Sequence, residues 1–209
     1  VSRAGGLVHE YWTGEGFRDI NQAAQWRQAA IDMVEAYVAN LDPTDEPRGV
    51  ERTVGVVHGG TSLSGRIDRI DQRGDTLVIV DYKTGRHELT IDDAKSSLAL
   101  AIYAVAAART LRIGCRRVEL HHLPTGAIVT WEHDDDTLKR HLDRANSIAG
   151  ECASADSAFR AGEQTEAVFP ARPSSLCGWC DYLRQCAEGQ AVTSGRASWR
   201  GLPDGPPRG

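Results

Sequence analysis

The residues with the clearest chemical content lie at the end of one short strand. After the apolar run Leu77-Val78-Ile79-Val80 the chain continues Asp81-Tyr82-Lys83, a carboxylate and an ammonium group two residues apart. Side chains alternate across a strand, so Asp81 and Lys83 share one face and Tyr82 takes the other. If Leu63 to Ile70 forms a hairpin with this strand, any register whose paired numbers sum to an odd number brings Asp68 to that face as well. Pairing Asp68 with Asp81 or with Ile79 both qualify. Two carboxylates beside an ammonium group repel one another unless a cation sits between them, and hard oxygen ligands of this kind suit Mg²⁺ or Mn²⁺. A lysine next to such an ion can hold and help deprotonate a water, or stabilise charge growing on a phosphorane. The chemistry implied is metal-assisted hydrolysis of a phosphate ester. The plainer alternative is a surface salt bridge at a strand end with Asp68 solvated, because an isolated D-x-K recurs by chance.

The elements that must position these groups follow from periodicity. Ile20 to Leu41 carries apolar residues at helical intervals without an internal Pro or Gly, and Asp42-Pro43 stops it. From Gly49 the texture turns β-branched: Val50 to Val57, a Gly59-Gly60 turn, Leu63 to Ile70, a Gln72-Arg73-Gly74-Asp75 turn, then Leu77 to Lys83. That predicts a three-stranded meander. Thr90-Ile-Asp-Asp93 resembles a capping box that opens an Ala-rich helix running to Arg112. Arg117 to Leu123 and Ala127 to Glu132 read as two more strands, Asp136 to Arg160 as a helix, and Gly162 to Ser175 as a loop. The expected fold is a mixed α/β sandwich, with a core over 1–165, a cysteine segment over 166–189 and a disordered tail over 190–209.

With 209 residues, 41% of them hydrophobic, the chain can build one good-sized core. No run reaches the roughly 18 apolar residues of a membrane span and no secretory signal opens the chain, which predicts a cytoplasmic location and no membrane partner. A net charge of -5 argues against coating nucleic acid through bulk charge, yet leaves room for an enzyme acting on it, since bound cations supply positive charge where a phosphate sits. The start at Val1 fits either a GTG-started gene or a fragment. Three of the five cysteines form Cys177-x2-Cys180-x5-Cys186, a spacing that points to a metal centre, zinc or iron–sulfur, needing a fourth ligand. Cys115 and Cys152 read as ordinary buried residues, although Cys152, His121 or His122 could complete a zinc site.

Taken in order, these motifs resemble the PD-(D/E)XK nucleases, specifically the RecB-like branch of helicase-nuclease subunits and CRISPR-associated exonucleases. "GRIDRID" and "VIVDYKTG" are similar to that branch's second and third motifs, "GGLVHEYW" to its first, the helix with Tyr103 to its Q-x-x-x-Y motif, and "CGWCDYLRQC" to its closing cysteines. The resemblance implies a restriction-endonuclease-like fold in which Asp68 and Asp81 bind metal, helped by His9 and the backbone carbonyl of Tyr82. Lys83 would then activate the water, with Tyr103 in support. It also implies a [4Fe–4S] cluster on Cys177, Cys180 and Cys186, whose fourth cysteine lies upstream of the first motif in the family and is absent from this chain. Ala99 stands where the family has glutamine, so the amide that would orient the substrate strand or the lysine is missing. Gly65 would allow close backbone approach, or mark a bulge, and Arg66 and Arg69 could meet phosphates or simply be solvated.

The expectation is therefore a Mg²⁺- or Mn²⁺-dependent DNA exonuclease of repair or recombination, acting on single-stranded DNA or duplex ends, with a helicase subunit as a candidate partner. One rival is a nuclease-like module that has lost catalysis and binds DNA or scaffolds. Another, a zinc-ribbon interaction protein, gains only if the hairpin fails to converge the acids.

Overall fold

Glycine turns fix the register of the first three strands. In the computed structural model, which describes residues 1–42, 44–195 and 202–205, β1 (Gly49–His58) joins β2 (Thr61–Arg73) through Gly59-Gly60, both at positive φ. Gly74, also at positive φ, opens the two-residue turn from β2 into β3 (Thr76–Lys83). Two-residue hairpins need such backbone at their centre because their twist then matches that of the strands. The expected meander results: β1 pairs β2 and β2 pairs β3, both antiparallel.

A crossover carries the chain from β3 to β4 (Gly114–His122), which lies parallel to β3, and β5 (Ala127–Glu132) pairs antiparallel with β4. The sheet order is β1-β2-β3-β4-β5. The chain has the expected mixed α/β fold, a five-stranded sheet flanked by helices. Central β3 is buried on both faces, which is why Leu77 to Val80 reads as a continuous apolar run rather than an alternating one.

The crossover is two helices where the sequence predicts one. Thr90 and Asp93 do form the capping box of α3 (Ile91–Ser96), but Ser97 takes an extended conformation and caps a second helix, α4 (Leu98–Leu111), by accepting from Leu100 N–H at 3.3 Å. Helix α4 buries Leu100 and four alanines, and these small side chains let its backbone lie close against β1 to β4. Gly65 belongs to this contact. A Cβ there would come within 2.2 Å of Tyr103 Cε1, so close approach of the ring, not a plain bulge, accounts for the glycine.

The other sheet face carries a polar network. Glu119 is buried and accepts from Arg73 at 2.7 and 2.9 Å, from Arg117 at 2.8 Å and from His121 Nε2 at 3.0 Å, while His121 Nδ1 meets Tyr37 Oη at 2.7 Å. Burial acts to raise the Glu119 carboxyl, but the hydrogen bonds of His121, Arg73 and Arg117 outweigh it and hold it at about 2. Burial, with Tyr82 nearby, raises the Tyr37 phenol. Arg69 pairs with Asp71 at 2.6 Å on this face.

By its contacts the chain divides into two units. The first is Met33–Glu151 with Val1 and holds the sheet, α3 and α4; the second is Ser2–Asp32 with the residues from Cys152 onward. Helices α1 (Ser2–Tyr11), α6 (Thr165–Val168) and α7 (Ala187–Val192) lie in the second unit, α6 as a single turn inside the expected loop. α2 (Ile20–Ala39) and α5 (Asp135–Arg160) each contribute to both. Within the second unit Trp12 stacks on Phe17 and Phe159 packs on Phe169. The expected disordered tail is partly structured. Residues 190–192 belong to α7, and buried Gln22 donates to Leu202 O at 2.8 Å, while Trp26 donates to Pro203 O at 3.2 Å and Arg18 pairs with Asp204. The remaining tail residues, 196–201 and 206–209, lie outside the described ones. Among the described residues no helix is long and apolar enough to cross a membrane.

Two outcomes are expected. Gly65→Ala should lower stability by about 1–3 kcal/mol in urea titration, as overpacking does, and Tyr103→Ala in the same chain should remove most of that added loss. Glu119 has a depressed folded-state pKa, so its contribution is complete above the ordinary carboxylate range and is lost as pH falls through about 2. Glu119→Gln should therefore be less stable at neutral pH, with Arg73 and Arg117 left without their anion, and should lose less stability on acidification across that window.

Candidate active site

The β2–β3 ladder opens where the acids lie. Its last pair before the opening is Arg69 with Val80, and the same register carried one step further sets Asp68 opposite Asp81. No backbone pair forms there. Instead Tyr82 N–H donates to Asp68 Oδ2 at 2.9 Å, so a side chain takes the place of the next rung. On its other edge β3 remains paired with β4 as far as Lys83 with His122. The strand is thus held from one side while the other splays, which exposes Lys83 and leaves Asp81 half-buried. The β1–β2 ladder also skips its rung at Glu51 and Asp68, and Glu51 adopts a left-handed φ of 48° while its carboxylate pairs with Arg66 at 2.6 Å.

Asp81 Oδ2 stands 2.5 Å from Lys83 Nζ. The contact is an ion pair without directed hydrogen-bond geometry, and this buried oxygen has no hydrogen-bond partner. Asp81, Lys83, His87, Asp93 and Ala99 line an open cleft of about 380 Å³. A hard cation fits the chemistry of this corner: two carboxylates and a strand-end carbonyl are all oxygen donors, one of them a buried, otherwise unsatisfied oxygen. Among the described residues no group of three or more His, Cys, Asp or Glu is gathered as a metal cage.

The structure brings together Asp68, Asp81, Tyr82 and Lys83, and sets Ala99 in the same cleft with its side chain exposed. His9 lies in the last turn of α1, in the second unit. Tyr103, one helical turn beyond Ala99, is half-buried over Gly65 and packs against the core. The two arginines are placed differently. Arg69 is buried against Asp71 on the reverse face and so cannot meet a phosphate at this corner, while Arg66 is exposed and engaged by Glu51. Sequence reasoning passed over Glu51, His87 and Asp93. Asp93 carries a signal only as the capping box that it forms with Thr90, and a left-handed Glu51 leaves no trace in residue type.

Among the described residues the cysteines are not gathered as a ligand set. Cys177 begins the closing turn of one short segment, Cys180 is exposed and Cys186 caps α7, and all three are free thiols. Ser174 N–H points to Cys177 Sγ at 3.4 Å and Gly189 N–H to Cys186 Sγ at 3.3 Å. Among the described residues no group of three or more His, Cys, Asp or Glu is gathered here, and no [4Fe–4S] site is formed. The candidate zinc ligands are otherwise engaged or differently placed. His121 bonds Tyr37 and Glu119, His122 bonds Thr125 Oγ1 and Gly85 O at 2.7 Å each, and Cys152 is exposed rather than buried. Cys115 is buried as expected, and burial pushes its thiol up to about 12.

Comparison with known proteins bears on the whole chain. No curated protein matches the sequence. Among solved structures, a candidate exonuclease from Eubacterium rectale is similar at 14% identity and a TM-score of 0.44, over 88% of this chain and 67% of that one. The protein SSO0001 is similar at 15% identity and a TM-score of 0.42, over 92% of this chain and 95% of that one. The family profile described as PD-(D/E)XK nuclease superfamily matches residues 2–187, nearly the full length, and on that match the chain belongs to the PD-(D/E)XK nuclease superfamily.

Proposed function

We propose that this chain is a divalent-metal-dependent deoxyribonuclease whose active centre is Asp68, Asp81, the Tyr82 carbonyl and Lys83. The observation that carries the reading is the splayed strand pair, in which Tyr82 N–H fixes Asp68 beside the Asp81–Lys83 pair. Asp68 and Asp81 would hold the ion through carboxylate oxygens, with Tyr82 supplying its carbonyl and His9 joining them on motif order alone. Bound Mg²⁺ or Mn²⁺ would polarise the phosphoryl oxygen and lower the pKa of a coordinated water. Lys83, drawn from Asp81 by that competition, would hold the attacking water and balance the charge that develops on phosphorus. The order of motifs favours a RecB-like exonuclease of DNA repair acting on single strands or duplex ends, with a helicase as companion. A catalytically inactive DNA-binding module is the second reading. Ala99 favours it, since nothing at that exposed position can hydrogen-bond to a substrate or to Lys83.

End-labelled single- and double-stranded DNA with Mg²⁺, Mn²⁺ or EDTA tests the reading. Asp68→Asn keeps an acceptor for Tyr82 N–H but removes the charge, so it and Asp81→Ala should fold, lose the metal-induced rise in melting temperature and lose cleavage. Lys83→Ala should keep the metal-induced rise yet lose turnover by roughly 10²–10⁴-fold. Substantial cleavage in all three variants would sink the proposal. Ala99→Gln, at an exposed helical position where glutamine is well tolerated, should raise cleavage or leave it unchanged with no large loss of stability. A clear drop in stability would show that the assignment of this helix to the Q-x-x-x-Y motif has slipped.

A further inference from the structure

A second cleft, of about 580 Å³, lies at the other end of the sheet. It is lined by Gly114 and Cys115, which pair with Thr76 and Leu77 at the start of β3. Six residues of strand separate Leu77 from Lys83, which sets the two clefts about 20 Å apart along the sheet. Arg109, Arg112, Arg116 and Lys139 line its rim, with Asp135 and His58 beside them. Its floor is apolar, with Val105, Ala108 and Leu142. In a chain of net charge -5, such a concentration is local rather than general.

Some of these groups are already matched. Arg116 pairs with Asp135 at 2.6 Å, and Asp143 takes both Lys139 at 2.6 Å and His58 at 2.8 Å. Arg109 donates to Val57 O at 3.1 Å and has no acidic partner among the described residues. Arg112 is exposed and its side chain makes no hydrogen bond or ion pair among them. Its backbone is a separate observation. Arg112 ends α4 at φ 58°, a left-handed position that glycine fills without steric cost, yet the chain keeps a long cation there. Held in that conformation, the residue sits where α4 meets the rim, and its guanidinium remains uncommitted.

We propose that this cleft binds a nucleoside phosphate, with the base over the apolar floor and the phosphate against Arg112 and Arg109. An inorganic anion would use the rim and leave the floor wet. A nucleotide unit uses both, because every base offers a π-face to an apolar surface and guanidinium groups match phosphate oxygens. The cleft has the size of a small-molecule site. The nucleotide could be free or one unit of a DNA strand that also reaches the catalytic corner. The site is independent of Asp81 and Lys83, and it stands whether or not they cleave.

The test is binding to the full chain in EDTA, where no cleavage confuses the reading. The probes are dAMP, a short oligothymidylate, inorganic phosphate and a polyglutamate peptide, each across a salt series. Arg112→Gly removes the cation and suits the left-handed backbone, so its melting temperature should equal or exceed that of the parent protein. Its affinity for the oligothymidylate should fall roughly tenfold, as loss of a charge-assisted phosphate contact does, and the slope of log affinity against log salt should shrink by about one. A parallel loss for dAMP identifies a free-nucleotide site; a loss for the oligothymidylate alone identifies a strand-binding site. Lys139→Gln should act in the same direction. The inference is overturned if the parent protein binds neither nucleotide probe, if Arg112→Gly binds them unchanged, or if phosphate or polyglutamate binds as tightly as the nucleotides. Failure of DNA cleavage with these binding results intact would count against the nuclease reading alone.

Discussion

The hydrogen bond from Tyr82 N–H to Asp68 Oδ2 governs the corner where Asp68, Asp81 and Lys83 meet. A backbone rung at that place would have closed the ladder and left the two carboxylates as ordinary cross-strand neighbours. A side-chain acceptor satisfies the donor and lets β2 part from β3, while β4 keeps β3 in line up to Lys83. The arrangement sets two carboxylates opposite one another, a condition that carboxylates tolerate only with local compensation. Lys83 supplies that compensation from the same face at 2.5 Å.

The reverse face bears a different electrostatic load. Asp71 and Glu119 are buried among Arg69, Arg73, Arg117 and His121, and Tyr82 reaches the Tyr37 and His121 rings edge-on, with centroids 5.5 and 6.2 Å away. Ion pairs of this kind contribute little net stability over a well-packed apolar equivalent, but losing one partner is costly. Their effect here is geometric. Tyr82 is held by its ring on one face and by its amide at the strand edge, so the backbone that would offer a carbonyl to a metal has little freedom.

Much of the fold and of this corner could be read from residue order because it depends on alternation. Parity alone places Asp68, Asp81 and Lys83 on one face, and turn glycines mark both hairpins. The mixed sheet followed from β-branched runs broken by Gly59-Gly60 and Gly74. What escaped depends on conformation that residue type does not encode. Ser97 divides the crossover by taking an extended backbone in a sequence that supports continuous helix. Arg66 and Arg69 look alike in the sequence, yet one is exposed beside Glu51 and the other is buried in a pair with Asp71, where the strand departs from strict alternation near the skipped rung. The spacing of Cys177, Cys180 and Cys186 suggested a closed ligand set, but spacing cannot say whether the sulfurs face one centre. The contacts of Leu202 to Asp204 rest on single polar groups of α2 and the segment before it, in a tail whose composition reads as disordered.

The two-residue turn at Gly74 also bears on the order in which the molecule assembles. Contacts between residues near in sequence close small loops and form early, whereas those that span a long crossover carry a larger entropic cost and form late. Asp68 and Asp81 belong to the first class, brought opposite one another by a hairpin that needs nothing beyond β2 and β3. The pairing of Lys83 with His122 belongs to the second, because β4 arrives only after both crossover helices. The chain thus gathers its acids locally, and β3, which bears Asp81, gains its second support when β4 docks.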